Sequence, residues 1–173
     1  MAVQLSDTDR VKISTEVAEE FIEAYYTALN SSSARNTIAS FHIPPIPGST
    51  PSRNLPIINY NGDLSNDGNT FQTKFSEMPY TFYEAQSVNV QVLNPCMDPN
   101  GAKTRKEAER NMSLAVQVSG HVRLNERKEG PLRGFSDDMV LVPNKEAVGG
   151  KGTGKTGEGR QWLIQTQNFR FVV

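Results

Sequence analysis

The segments Phe135–Val142 (FSDDMVLV) and Gln161–Val173 (QWLIQTQNFRFVV) decide how the chain is read. They read as a strand pair joined by a glycine-rich connection. That connection contains Gly149–Thr156 (GGKGTGKT), which spells the phosphate-loop pattern G-x-x-x-x-G-K-[ST]. The pattern binds phosphate because backbone N–H groups wrap the anion and a following helix aims its N-terminal dipole at it, so it needs the context strand, loop, helix. Here Thr156 is followed by Gly157, Glu158 and Gly159 and then by the strand-like Trp162-Leu163-Ile164. Six glycines among residues 149–159 also oppose a helix, each by about 0.5–1 kcal/mol relative to alanine. The context fails, and no nucleotide is expected. Lys151 and Lys155 remain candidates for weak contact with RNA phosphates.

Outward from this pair, Met112–Leu124 gives the cleanest alternation in the chain. Met112, Leu114, Val116, Val118, Val122 and Leu124 share one face with Gly120, while Ser113, Gln117, Ser119, His121 and Arg123 share the other. Val88, Val90 and Val92 repeat the pattern upstream, after Pro79. Tight turns between successive strands imply antiparallel pairing. The segment Asp98–Arg110 (DPNGAKTRKEAER) interrupts the strands with turn formers and dense mixed charge. It reads as a solvated loop, with Lys103, Arg105, Lys106 and Arg110 as candidate RNA contacts.

The N-terminal part is helical. Val17, Ala18, Phe21, Ile22, Tyr25, Ala28 and Leu29 recur at three- and four-residue steps between Ser6 and Asn30, with Ser6 or Ser14 available as the cap. A short helix is expected over Ala34–Phe41, stopped by Pro44-Pro45, and another over Asn69–Met78, stopped by Pro79. Five prolines between Ile43 and Pro56 make a stiff loop, and Asn61-Gly62 marks a turn after a short strand Ile57–Tyr60. The expected fold class is α+β: one domain over 1–173, a curved antiparallel sheet with two or three N-terminal helices in its concavity, and long loops at about 43–56, 98–111 and 143–160.

A chain of 173 residues with 18 basic and 19 acidic side chains has no global field to draw it to nucleic acid or a membrane surface. The lone Cys96 and the absence of an apolar run in Met1–Arg10 point to a reducing compartment, and no apolar run is long enough to span a bilayer.

Several pieces, in order, resemble the nuclear transport factor two-like fold: Phe21–Leu29 (FIEAYYTAL), Tyr60-Asn61-Gly62, Phe71–Pro79 (FQTKFSEMP), Ser113–Val122 (SLAVQVSGHV), Phe135–Val142 and Trp162–Phe171 (WLIQTQNFRF). Within it the chain is similar to the small subunit of the eukaryotic mRNA export receptor, in its fungal form. The resemblance implies a non-catalytic protein without a cofactor or metal, paired sheet to sheet with the large receptor subunit. It further implies engagement of phenylalanine-glycine nucleoporins through the heterodimer, carriage of mRNA and pre-ribosomal particles, and shuttling between nucleus, nuclear pore and cytoplasm. Asp137 and Met139 depart from the glutamine and phenylalanine frequent in that family.

The resemblance also implies that Arg170, which alternates with Phe169 and Phe171, reaches a carboxylate on the partner. Asn168, Gln117, Ser119, His121, Arg123 and Trp162 are the other candidate partner-binding residues. Strand parity puts Trp162 and Ile164 on Arg170's side unless a bulge between Gln165 and Asn168 switches the faces. Two alternatives belong to the same fold: a homodimeric import carrier for Ran in its GDP form, and a cone-fold isomerase or dehydratase. The latter would draw on Asp137, His42 and Tyr25.

Overall fold

The computed structural model describes residues 2–45, 48, 56–146 and 159–172. The first helix, α1, runs Asp7–Asn30. Ser6 is its cap, the hydroxyl oxygen accepting from the Asp9 backbone N–H at 3.1 Å, a contact worth about 1 kcal/mol at such sites. Ser14 instead lies inside the helix and donates to the Val11 carbonyl. Ala18, Phe21, Ile22, Tyr25, Tyr26, Ala28 and Leu29 form the buried stripe. Residues Arg35–Phe41 form a 3-10 helix rather than an α-helix, burying Ile38 and Phe41. Helix α2 (Gly68–Glu77) is capped by Asp67, buries Phe71 and Phe75, and ends before Pro79.

The strands are β1 (Ile57–Tyr60), β2 (Asp63–Ser65), β3 (Thr81–Asn94), β4 (Ser113–Leu124), β5 (Leu132–Pro143) and β6 (Trp162–Val172). They form one sheet in the order β2-β1-β6-β5-β4-β3. The pairs β3–β4, β4–β5, β5–β6 and β1–β2 are antiparallel as expected, but β1 runs parallel to β6, so the sheet is mixed. The Asn61-Gly62 turn between β1 and β2 has positive φ at both residues (50° and 94°), which Asn and Gly tolerate. A further correction falls in 98–111, expected as loop. Residues Arg105–Glu109 make a one-turn helix, α3, closed by a capping box between Thr104 and Glu107 and seated by buried Ala102 and Ala108. The phosphate-loop pattern, with Lys151 and Lys155, and most of the proline-rich loop lie outside the described residues. On either side of the former, Pro143 pairs antiparallel with Trp162, so the flanking elements are a strand hairpin.

One face of the sheet packs on the helices. Leu114, Val116, Val118 and Val122 of β4, each at most 2% exposed, join Phe135, Met139 and Leu141 of β5 and Ile164 and Phe169 of β6 in a core with the α1 and α2 aromatics. Curvature comes from register shifts in β3 (Ala85/Ser87 and Val92/Asn94) and in β6, where Val140 faces Thr166 but Leu141 faces Ile164, leaving Gln165 unpaired. The β6 bulge settles the parity question. Trp162 and Ile164 turn into the core, 6% and 0% exposed, while Asn168 and Arg170 stay outside.

Opposite the Ala85/Ser87 shift sits Gly120, where any Cβ would overlap the Glu84 carbonyl oxygen. Backbone atoms cannot yield there without undoing the bend. Gly120→Val is expected to destabilise the chain by about 1–3 kcal/mol, as overpacking does, read as a lower urea midpoint; an unchanged midpoint would show that the bend accommodates a side chain.

Candidate docking face and buried polar network

The bulge in β6 sorts the candidate residues onto two faces, and each face holds one arrangement. Inside, Gln167 is 4% exposed and lies between β5, α1 and the end of the 3-10 helix. Its amide nitrogen donates to Asp137 Oδ2 at 2.9 Å and to the Tyr25 hydroxyl at 3.1 Å, and its carbonyl oxygen lies 3.0 Å from His42 Nε2. The Tyr26 hydroxyl donates to the same Asp137 oxygen at 2.7 Å. His42 reaches this position because residues just past the 3-10 helix bridge β6: Ile43 N–H donates to the Ile164 carbonyl at 2.9 Å.

Asp137 is completely buried, in mid-strand, and among the described residues it has no ion-pair partner. Desolvation pushes its carboxyl up to about 7, against the opposing pull of the Tyr26 and Gln167 hydrogen bonds. Oδ1 has no hydrogen-bond partner among the described residues and is the atom left to carry the proton below that pH. Burial also pushes the Tyr25 and Tyr26 phenols up and holds His42 below its ordinary range. His42 Nδ1 lies 3.2 Å from the Ile38 carbonyl, so both ring nitrogens face acceptors while the neutral ring has one proton to give.

Asp137, His42 and Tyr25, the residues a cone-fold enzyme would use, are therefore brought together, with Tyr26 and Gln167 as members the strand pattern did not single out. Rings enclose the carboxyl: Tyr26 packs on Phe135 (5.6 Å between centroids) and Tyr83 (5.8 Å), and Phe135 stacks on Phe169 (5.4 Å). Tyr60 stacks on Phe169 at 4.5 Å, and its hydroxyl bonds that of Tyr83. Among the described residues no group of three or more His, Cys, Asp or Glu could hold a metal ion.

Outside, the sheet face turned away from the helices carries a row of polar side chains across five strands, Asn59, Asn168, Asp138, Gln117 and Asn89, each directly opposite the next. It lies in an open groove of about 600 Å³, lined also by Ile57, Leu64, Ala115, Val140 and Thr166. Ile57 and Leu64 are 43% and 61% exposed. Of the sequence candidates, Asn168, Arg170, Gln117 and Ser119 are exposed on this face and His121 and Arg123 half-buried on it. Trp162 is not on it, for the bulge turns it inward. Asp138 and the apolar floor were not among those candidates.

The basic candidates of 98–111 divide. Arg105 pairs with Asp9 (2.9 Å) and Glu109 (3.1 Å), and Arg110 donates to the Asn144 carbonyl at 3.0 Å. Lys103 and Lys106 are exposed.

No protein-family model matches the sequence, and no curated protein matches it. Solved structures do. A complex of the Chaetomium thermophilum Mex67 NTF2-like domain with Mtr2 is similar at a TM-score of 0.70 and 20% identity, covering 92% of this chain and 99% of the matched one. Nuclear transport factor 2 from Cryptosporidium parvum is similar at 0.57 and 16% identity, covering 92% and 94%. A protein from Novosphingobium aromaticivorans named for scytalone dehydratase is similar at 0.61 and 10%, covering 96% and 89%. The chain has the nuclear transport factor 2-like fold.

Asp137 gives stability a pH signature. Its folded value near 7 exceeds the ordinary 3.8, so the folded state holds this proton more tightly than the unfolded chain does. Its contribution is greatest below about pH 4, declines as pH rises from about 4 to about 7, and is flat above. Over that window the loss is on the order of 4 kcal/mol. His42, held low, acts in the opposite sense, losing stability as pH falls below about 6.5. Asp137→Asn is expected to abolish the decline between pH 4 and 7 in urea titrations. Parallel wild-type and variant profiles would mean that the carboxyl titrates at its ordinary value.

Proposed function

We propose that this chain is the small, non-catalytic subunit of the heterodimeric mRNA export receptor, seating the outer face of its sheet on the nuclear transport factor 2-like domain of a large subunit. The observation that carries the reading is the condition of that face. All six strands contribute to an open groove with apolar flanks and a polar row, and Arg170 beside it makes no ion pair or side-chain hydrogen bond with a described residue. A mixed surface of this kind suits partner binding, since interfaces combine an apolar centre with about 10 direct hydrogen bonds. Likeness to Mtr2, solved with the Mex67 NTF2-like domain and, in a further structure, with a Sac3N peptide on Mex67:Mtr2, supports the same reading.

The inner network supports a structural rather than a chemical role. A general acid or base must reach a substrate, and Asp137 is closed in by aromatic rings. On this reading the heterodimer engages phenylalanine-glycine nucleoporins, and the chain shuttles between nucleus, pore and cytoplasm. Lys103 and Lys106, with Lys151 and Lys155, are its candidate contacts to RNA or pre-ribosomal cargo; Arg105 and Arg110 are engaged within the chain.

Affinity purification of the tagged chain from its own cells is expected to bring down one larger chain in equal amount. Arg170→Glu is expected to weaken binding to that chain's nuclear transport factor 2-like domain on the order of 100-fold, the scale of losing one partner of a buried charge pair. A stable homodimer that takes no larger chain would favour the import-carrier alternative, and undiminished affinity of Arg170→Glu would remove that residue from the interface.

A further inference from the structure

Asp138 is the one charged side chain among the described residues lining the outer groove. It is half-buried before any partner arrives, and its strand neighbours across the row, Asn168 and Gln117, are neutral amides. No described cation meets it: Arg170 lies two residue pairs further along, opposite Ser136, and the two form no ion pair. Covering the groove removes the water that now solvates this carboxylate. A buried carboxylate without a partner is strongly unfavourable unless a cation or several donors replace that water.

We infer that Asp138 is a specificity-determining residue of the docking face, and that the partner's sheet brings an arginine or lysine side chain onto it. This inference rests on the heterodimer reading and adds to it a second charge requirement of opposite sign to that of Arg170. The face then offers an acid at the centre of its polar row and a base off the row, diagonal to that acid on β6. A partner surface must match both signs at that spacing, and a sheet presenting a carboxylate opposite Asp138 is rejected by repulsion in a desolvated groove. The occupant, on the heterodimer reading, is the sheet face of the large subunit's domain, and the charge of Asp138 requires it to carry a basic side chain there.

The test uses the full chain and the purified nuclear transport factor 2-like domain of the large subunit, titrated by calorimetry. Asp138→Asn keeps the shape but leaves the partner's cation buried without a counter-charge, and is expected to weaken binding by about 30-fold or more; Asp138→Lys is expected to weaken it further still. Thermal melts of the free variants check folding, and Glu16→Gln, exposed on α1 and away from the groove, is expected to stay within about threefold of wild type as a surface change of small effect. Restoration of Asp138→Lys binding by an Arg→Glu or Lys→Glu change in the large subunit would identify the paired cation. Wild-type binding with Asp138→Asn unchanged overturns this inference alone. No wild-type binding overturns the heterodimer reading and this inference with it. A chain that by light scattering has twice its monomer mass, and loses that mass on Asp138→Asn, assigns the face to a second copy and also overturns it.

Discussion

Gln167 is the point at which the architecture is tied. One buried amide from the sheet touches side chains of α1, of β5 and of the segment leaving the 3-10 helix. Apolar packing alone tolerates small slides of a helix over a sheet, because hydrophobic burial has no direction. Hydrogen bonds near 3 Å do have direction, and a group left unpaired in this interior costs about 1–3 kcal/mol. The three elements are thereby held in one relative placement. The network is also proton-linked. With the Asp137 carboxyl protonated at Oδ1, Oδ2 still accepts from the Gln167 amide and the Tyr26 hydroxyl, so the ties to β6 and α1 are kept in both protonation states.

The outer face depends on the same strand by a different device. In β6 the unpaired Gln165 adds one residue to a period of two, and everything beyond it changes sides. Without that residue Trp162 and Ile164 would share a face with Arg170. With it, one strand supplies Ile164 and Phe169 to the core, Asn168 to the groove and Arg170 beside it, and Gln167 reaches the inner network. Interior and exterior chemistry are thus coupled through a single backbone irregularity.

Helix α1, the Asn61-Gly62 turn, α2 and the β4 alternation were legible because their causes are local: a cap, a three- and four-residue stripe, positive φ, a period of two. The parallel pairing of β1 with β6 was not, since nothing near Ile57–Tyr60 states which distant edge it will join. Trp162 was ambiguous for the same kind of reason, as the Gln165 bulge leaves no mark in the alternation around it. Asp137 could be read as an odd polar residue on a core face and Gln167 shares the parity of Phe169, but nothing local joins two polar residues that lie 30 positions apart in the chain. Charge density hid α3: DPNGAKTRKEAER reads as solvated loop until Ala102 and Ala108 are seen to be its anchors. Asp138 was overlooked because a polar residue on an outward face is ordinary until its neighbours prove to be neutral.

The strand order β2-β1-β6-β5-β4-β3 puts β6 in the interior of the sheet. Its parallel neighbour β1 lies roughly 110 residues earlier in the chain, a high contact order of the kind that slows folding. During vectorial synthesis β1 and β2 emerge as a short hairpin, and β3, β4 and β5 as an antiparallel meander, with no edge in common until β6 is made. Until then the inner edges of both halves stand open, as do the apolar residues that β6 will cover, so nascent chains carry two strand edges ready to pair wrongly. The last strand described is the keystone of the sheet, and the interval before it leaves the ribosome is when the chain has most need of a chaperone or of an early-arriving partner.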